Sequence, residues 1–152
     1  FLANRGFAVF QMNFRGSTGY GRKFWEASFK EWGKSMQDDI TDGVYYLIEQ
    51  GVADKDRIAI FGASYGGYAT MAGLTFTPDL YAAGINYVGV VDLELLQEDS
   101  NRNSRRFGGF YDELMLEWGD PDDPEDMEYI IETSPLRQAH KIKFVPATTS
   151  QN

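Results

Sequence analysis

The sequence predicts an α/β domain with a mostly parallel sheet flanked by helices. Runs rich in β-forming residues alternate with runs of helical periodicity. Glycine, asparagine and aspartate mark the junctions between them. Each strand-to-strand interval is long enough for a crossover helix, as parallel neighbours require. At 152 residues the chain suffices for one domain with a real core. No internal repeat or low-complexity linker divides it, so a single domain over 1–152 is expected.

Phe7 to Phe14, FAVFQMNF, is a nearly continuous apolar run that reads as a strand buried on most of both faces. It ends at a loop carrying Gly16, Gly19 and Gly21. Ile40, Val44, Leu47 and Ile48 then recur at helical spacing, with Ser35 or Asp38 as candidate N-caps and Gly51 as the stop. Arg57 to Gly62 is a short β-rich run, and the small and apolar residues after Ser64 suit a closely packed helix. A third strand is expected over Ala82 to Leu93. From Glu94 to Ser134 the pattern loosens into a polar excursion with short helices near Asp112 to Trp118 and Pro124 to Glu132, the kind of insertion that shapes a site.

Composition narrows the function. Hydrophobic residues make up 43% and aromatics 15%, as in a packed globular domain. A net charge of −9 argues against a nucleic-acid partner, which needs clustered Lys and Arg. No apolar run approaches a bilayer-spanning length and FLANRGF lacks a signal-peptide layout, so a soluble protein without a membrane partner is expected. The acidic stretch Gly119 to Glu132 reads as a solvated helix start rather than a metal site. Without cysteine there are no disulfides, thiolate metal sites or cysteine catalysis, and the compartment, cytoplasmic or periplasmic and secreted, stays open.

The chemistry concentrates in GASYG, Gly62 to Gly66, which fits the Gly-x-Ser-x-Gly nucleophile elbow. In such an elbow a serine sits at the tip of a sharp strand-to-helix turn, and side chains at the flanking glycines are expected to collide with neighbouring backbone. The turn also puts the Tyr65 N–H at a helix N-terminus, where partial positive charge favours a developing oxyanion. A chance match in so glycine-rich a chain has a probability of roughly one in ten, so the position of this one between strand and helix carries the weight. A small-residue packing turn is the ordinary alternative. A phosphate loop fits poorly, because no Lys-Ser or Lys-Thr follows the glycines.

Three stretches, NFRGSTGYG from Asn13, DDITDGVYYLIEQGVADKDRIAIFGASYGGYATM from Asp38, and the region from WGDPDD at Trp118 through SPLRQAHKIKFVP to Pro146, resemble the catalytic domain of the prolyl oligopeptidase family of serine peptidases. The likeness is greatest to its acylaminoacyl-peptidase and dipeptidyl-peptidase branches. The resemblance runs in order up to about Pro146 and implies a partial α/β-hydrolase fold. It further implies that Ser64 is the nucleophile, forming an acyl-enzyme with short peptide substrates, and that the Tyr65 N–H is an oxyanion donor. It also implies an upstream β-propeller domain, which this sequence does not contain, and no metal or organic cofactor. Oligomeric state and cleavage preference stay open.

A serine needs a base held by a carboxylate. His140 is the one histidine, and Asp92 lies between it and Ser64 in the order Ser, Asp, His. The resemblance places His140 ahead of the family's catalytic residues, and Asp92 follows too early a strand. His140 is therefore expected to be a surface residue and Asp92 a strand-end cap. The chain starts at Phe1 in what reads as a helix tail, lacks an upstream strand and a His-Gly-Gly loop, and ends in ATTSQN, Ala147 to Asn152, where an apolar strand is expected. It thus reads as a fragment with a truncated or non-native end at 147–152 and no catalytic Asp and His, inactive by itself. Arg15 and the aromatics Tyr20, Phe24 and Trp25 either line the site or cover a core, and their spacing favours the core. Two other readings share the fold: a carboxylesterase or lipase, and a non-catalytic α/β interaction module.

Overall fold

The computed structural model describes residues 1–107 and 111–143. Its elements run in the order α1 (Arg22–Glu26), α2 (Ser35–Glu49), β1 (Ala59–Ala63), α3 (Tyr65–Phe76), β2 (Ala83–Tyr87), α4 (Leu93–Phe107), α5 (Tyr111–Trp118) and α6 (Pro124–Glu132), with 3-10 segments at Ala3–Arg5 and Pro135–Lys141. The α/β fold class holds. β1 and β2 pair in parallel, with Ala59 opposite Ala83 and Ala63 opposite Tyr87, and α3 is their crossover.

The register sorts side chains by face. Ile60 and Gly84 are paired and face α3, and a Cβ on Gly84 would press on Leu74 and Thr70 of that helix. The opposite face leaves Phe61, Ile85 and Tyr87 about three-fifths exposed (62%, 60% and 64%). The core lies on the helical side, where Trp32, Met36, Tyr68, Ala72, Leu93, Tyr129 and Ile130 are buried together. Small residues on α3 permit this approach. Thr70 and Thr75 satisfy their buried hydroxyls on carbonyls one turn back, at Gly66 and Met71.

Four expectations are corrected. Phe7 to Phe14 forms no strand, since no described backbone pairs with it, and Phe7, Val9 and Phe10 are exposed rather than buried. β propensity cannot make a strand without a hydrogen-bonding neighbour. The segment instead leans on α2, where Phe10 and Met12 occupy the space a Cβ on Gly43 would need. Neither Ser35 nor Asp38 caps α2: Ser35 is its first residue, and the Glu31 carboxylate accepts the Ser35 N–H at 3.1 Å. Gly51 does end the helix region, at φ 68°. The third strand stops at Tyr87, because Val88 takes φ 47°, outside β space. Finally, the supposed excursion begins with a full helix, α4, whose N–H groups at Glu94 and Leu95 are capped by the Asp92 carboxylate. Helix α6 occupies the expected Pro124–Glu132, with Asp123 accepting the Glu125 N–H at 2.8 Å. The expectation of a non-native end at 147–152 lies outside the described residues.

No helix among the described residues is long and apolar enough to cross a membrane.

Candidate active site

β1 delivers its C-terminal end directly into α3, and Ser64 is the single residue between them. Its backbone takes φ 55° and ψ −118°, one of three positive-φ non-glycine residues among those described. Such a conformation costs of order 1–3 kcal/mol and persists only where surrounding structure enforces it. Two bonds do so. The Ser64 N–H donates to the Tyr87 carbonyl at 3.1 Å, continuing the β1–β2 ladder, and the Ser64 carbonyl accepts the Tyr68 N–H at 3.0 Å, starting the helix. The hydroxyl makes no capping bond to α3, so it is not consumed by the helix it precedes.

The glycines of GASYG have unequal roles. A Cβ on Gly62 would overlap the backbone of Gly66, including its carbonyl oxygen, which makes glycine obligatory there. A Cβ on Gly66 would meet nothing within 4 Å, so the expected collision at that position is absent among the described residues. The tightly packed glycine is the next one. A Cβ on Gly67 would strike Gly89, in the turn that follows β2, and the Asn86 side chain near the end of that strand.

At the start of α3, the N–H groups of Tyr65, Gly66 and Gly67 find no backbone acceptor among the described residues, as at any first helical turn. They sit beside Ser64 at the positive end of the helix dipole, a suitable place for negative charge on an oxygen bonded to Ser64 Oγ. The Tyr65 ring turns away into an aromatic cluster, with Trp32 edge-on at 4.6 Å, Phe14 at 5.0 Å and Tyr68 at 5.7 Å between ring centroids. Burial raises the Tyr65 phenol far above its ordinary pKa, so it stays neutral and supplies packing rather than a base. Beneath it, Trp32 Nε1 donates to Glu117 at 3.2 Å and the Tyr68 hydroxyl donates to the Thr133 carbonyl at 2.8 Å. Trp118 completes the cluster edge-on to Trp32 at 5.8 Å, so it is assembled from four separate segments and leaves no local signal in the sequence.

The other candidates fall elsewhere. Asp92 is 4% exposed, and its carboxylate is taken up by Arg137 Nε at 2.8 Å and by the N–H groups of Glu94 and Leu95. His140 is exposed in the Pro135–Lys141 segment, and it is not among the groups that hold Asp92. Arg15 grips Asp39 through two guanidinium bonds, at 2.8 and 2.6 Å, and its own N–H at 2.9 Å, a brace between the Phe14 segment and α2. Tyr20, in the loop before α1, and Trp25, on α1, are exposed at 58% and 43% and do not cover a core; their rings pack on Phe24 and Phe29. Among the described residues no cluster of His, Asp and Glu could hold a metal ion.

Residues 1–149 match the profile of the prolyl oligopeptidase family. The chain is similar to dipeptidyl aminopeptidase BIII of Pseudoxanthomonas mexicana, at 44% identity over 93% of this chain and 20% of that protein. Its fold superposes on a crystal structure of puromycin hydrolase with a TM-score of 0.72 and 30% identity, covering 86% of this chain and 19% of the other. An acylaminoacyl peptidase of Pyrococcus horikoshii gives a TM-score of 0.65 and 32% identity, over 86% and 20% of the two chains. The chain thus spans about a fifth of the length of these relatives.

Proposed function

Because the chain belongs to the prolyl oligopeptidase family, we propose that it carries the nucleophile of a serine peptidase acting on short peptides. The observation that carries this reading is the strained Ser64 backbone at the β1–α3 junction, with unpartnered N–H groups of α3 beside it.

In the proposed reaction Ser64 Oγ attacks the scissile carbonyl and passes its proton to a general base. The resulting oxyanion is held by the Tyr65 N–H, whose position is fixed before the charge develops. Collapse expels the amine, which takes up the proton, and leaves an acyl-enzyme that water then hydrolyses. Asp92 is committed to its cap and its arginine, and His140 is not among the groups it bonds, so the base and its carboxylate come from outside the described residues. The isolated 152-residue chain is then inactive, since a triad acts as a unit. Access for short peptides only, imposed by a propeller in the parent protein, belongs to the same proposal.

Hydrolysis of a dipeptidyl anilide by the full-length protein tests it. Ser64→Ala should lower kcat by at least about 10⁴-fold with the melting temperature retained. Turnover that survives this substitution overturns the assignment. So does robust turnover by the 152-residue chain alone for the claim that its base lies elsewhere.

A further inference from the structure

The second strained residue of the site stands directly across from the first. β1 and β2 are in parallel register with Ala63 opposite Tyr87, so Ser64 and Val88 are the next residues on the two strands, and both take positive φ, 55° and 47°. For a β-branched residue this is a genuine outlier, and 76% exposure of Val88 means that its own packing does not enforce it.

The enforcement comes from the residues on either side. Asn86 Oδ1 accepts the Gly89 N–H at 2.8 Å, closing the chain over Val88. This closure presses Gly89 onto Gly67, where neither glycine has room for a Cβ, and Asn86 Oδ1 itself fills part of the space beside both. Gly67 lies three residues after Ser64, in the turn whose N–H groups face the reacting oxygen. The Tyr87 carbonyl, just before Val88, accepts the Ser64 N–H at 3.1 Å. The Asn86–Gly89 turn therefore touches the elbow from two sides, at Ser64 through a hydrogen bond and at Gly67 through backbone contact.

We propose that this turn is a clasp that holds the elbow in its strained form, with Asn86 as the positioning residue that keeps it closed. The inference rests on the reading of Ser64 as nucleophile. Asn86 touches no reacting atom. It fixes where the Tyr65 N–H stands relative to Ser64 Oγ, and a displacement of an ångström or less in such a donor slows acyl transfer.

The test is the rate at which a fluorophosphonate modifies the full-length protein, a step in which Ser Oγ bonds to phosphorus, fluoride leaves and the proton goes to the general base. Asn86→Ala should slow modification of Ser64 about tenfold, with affinity for a reversible peptide inhibitor changed less than twofold. Asn86→Asp, which keeps an acceptor oxygen for the Gly89 N–H, should recover most of the rate. Asn86→Ser, whose shorter side chain bonds the turn more weakly, should also slow modification and decides the matter if Asn86→Ala does not fold. An Asn86→Ala rate within twofold of the wild type, even with a lowered melting temperature, overturns the clasp. So does an Asp variant as slow as the Ala variant. A wild-type protein that hydrolyses peptides but is not modified at Ser64 overturns the nucleophile reading instead, and the clasp falls with it.

Discussion

Gly62 and Gly66 touch through backbone alone: a Cβ on Gly62 would overlap the carbonyl oxygen, carbonyl carbon and Cα of Gly66. The converse does not hold, since a Cβ on Gly66 meets open space. The two glycines of one motif therefore answer different demands. Gly62→Ala should destabilise by about 3 kcal/mol or more, because the obstructing atoms are backbone and cannot swing aside. Gly66→Ala should stabilise α3 by about 0.5–1 kcal/mol through helix propensity. Urea unfolding of the two variants reads both signs, and equal losses would contradict the asymmetry.

Asp92 and His140 should prove dispensable for chemistry. Asp92→Asn weakens the pairing with Arg137 and the cap of α4, so a loss of about 1–2 kcal/mol in stability is expected. The rate of Ser64 modification in the full-length protein should stay within threefold, whereas the same change in a catalytic triad acid costs about 10⁴-fold. His140→Ala, at an exposed position, should leave both rate and stability within experimental scatter. A rate loss of a hundredfold in either variant would place that residue in the catalytic machinery.

The Tyr68 hydroxyl is fully buried and donates to the Thr133 carbonyl at 2.8 Å, tying α3 to the end of α6. Tyr68→Phe keeps the ring contacts with Trp32 but strands that carbonyl, and should cost about 1–3 kcal/mol. Thermal unfolding checks this. No change would mean that the carbonyl finds another donor.

Burial pushes the Glu117 carboxyl above the usual carboxylate range, and the bond from Trp32 only partly opposes this. The folded state then binds its proton more tightly than the unfolded state does. Stability from this group is full below the unfolded-state pKa and falls as pH rises through the folded-state value. Glu117→Gln keeps an acceptor for the Trp32 indole and removes the charge. Its melting temperature should exceed the wild type's at pH 7, with the gap closing below about pH 4. A gap that widens on acidification would contradict the sign.

Legibility in the sequence followed locality. The elbow was readable because glycine, serine and the strand-to-helix switch fall within a few consecutive residues, and α6 because Asp123 and Pro124 are adjacent start signals. The exposed Phe7 to Phe14 run misled because its β propensity is local while a strand's partner is not. Helix α4 was hidden by polar residues, although Asp92 just ahead of it has the chemistry of a cap. The contact of Gly67 with Gly89 joins distant positions, and two glycines among 16 give no hint that they meet. The aromatic cluster under Tyr65 was illegible for the same reason, since Phe14, Trp32 and Trp118 reach it from separate segments.

The most direct measurement is mass spectrometry of the full-length protein after reaction with a fluorophosphonate and proteolysis. A single adduct on the peptide containing Ser64, absent in Ser64→Ala, is the expected result. A protein that hydrolyses short peptides yet carries the adduct on another serine, or none at Ser64, would contradict the account.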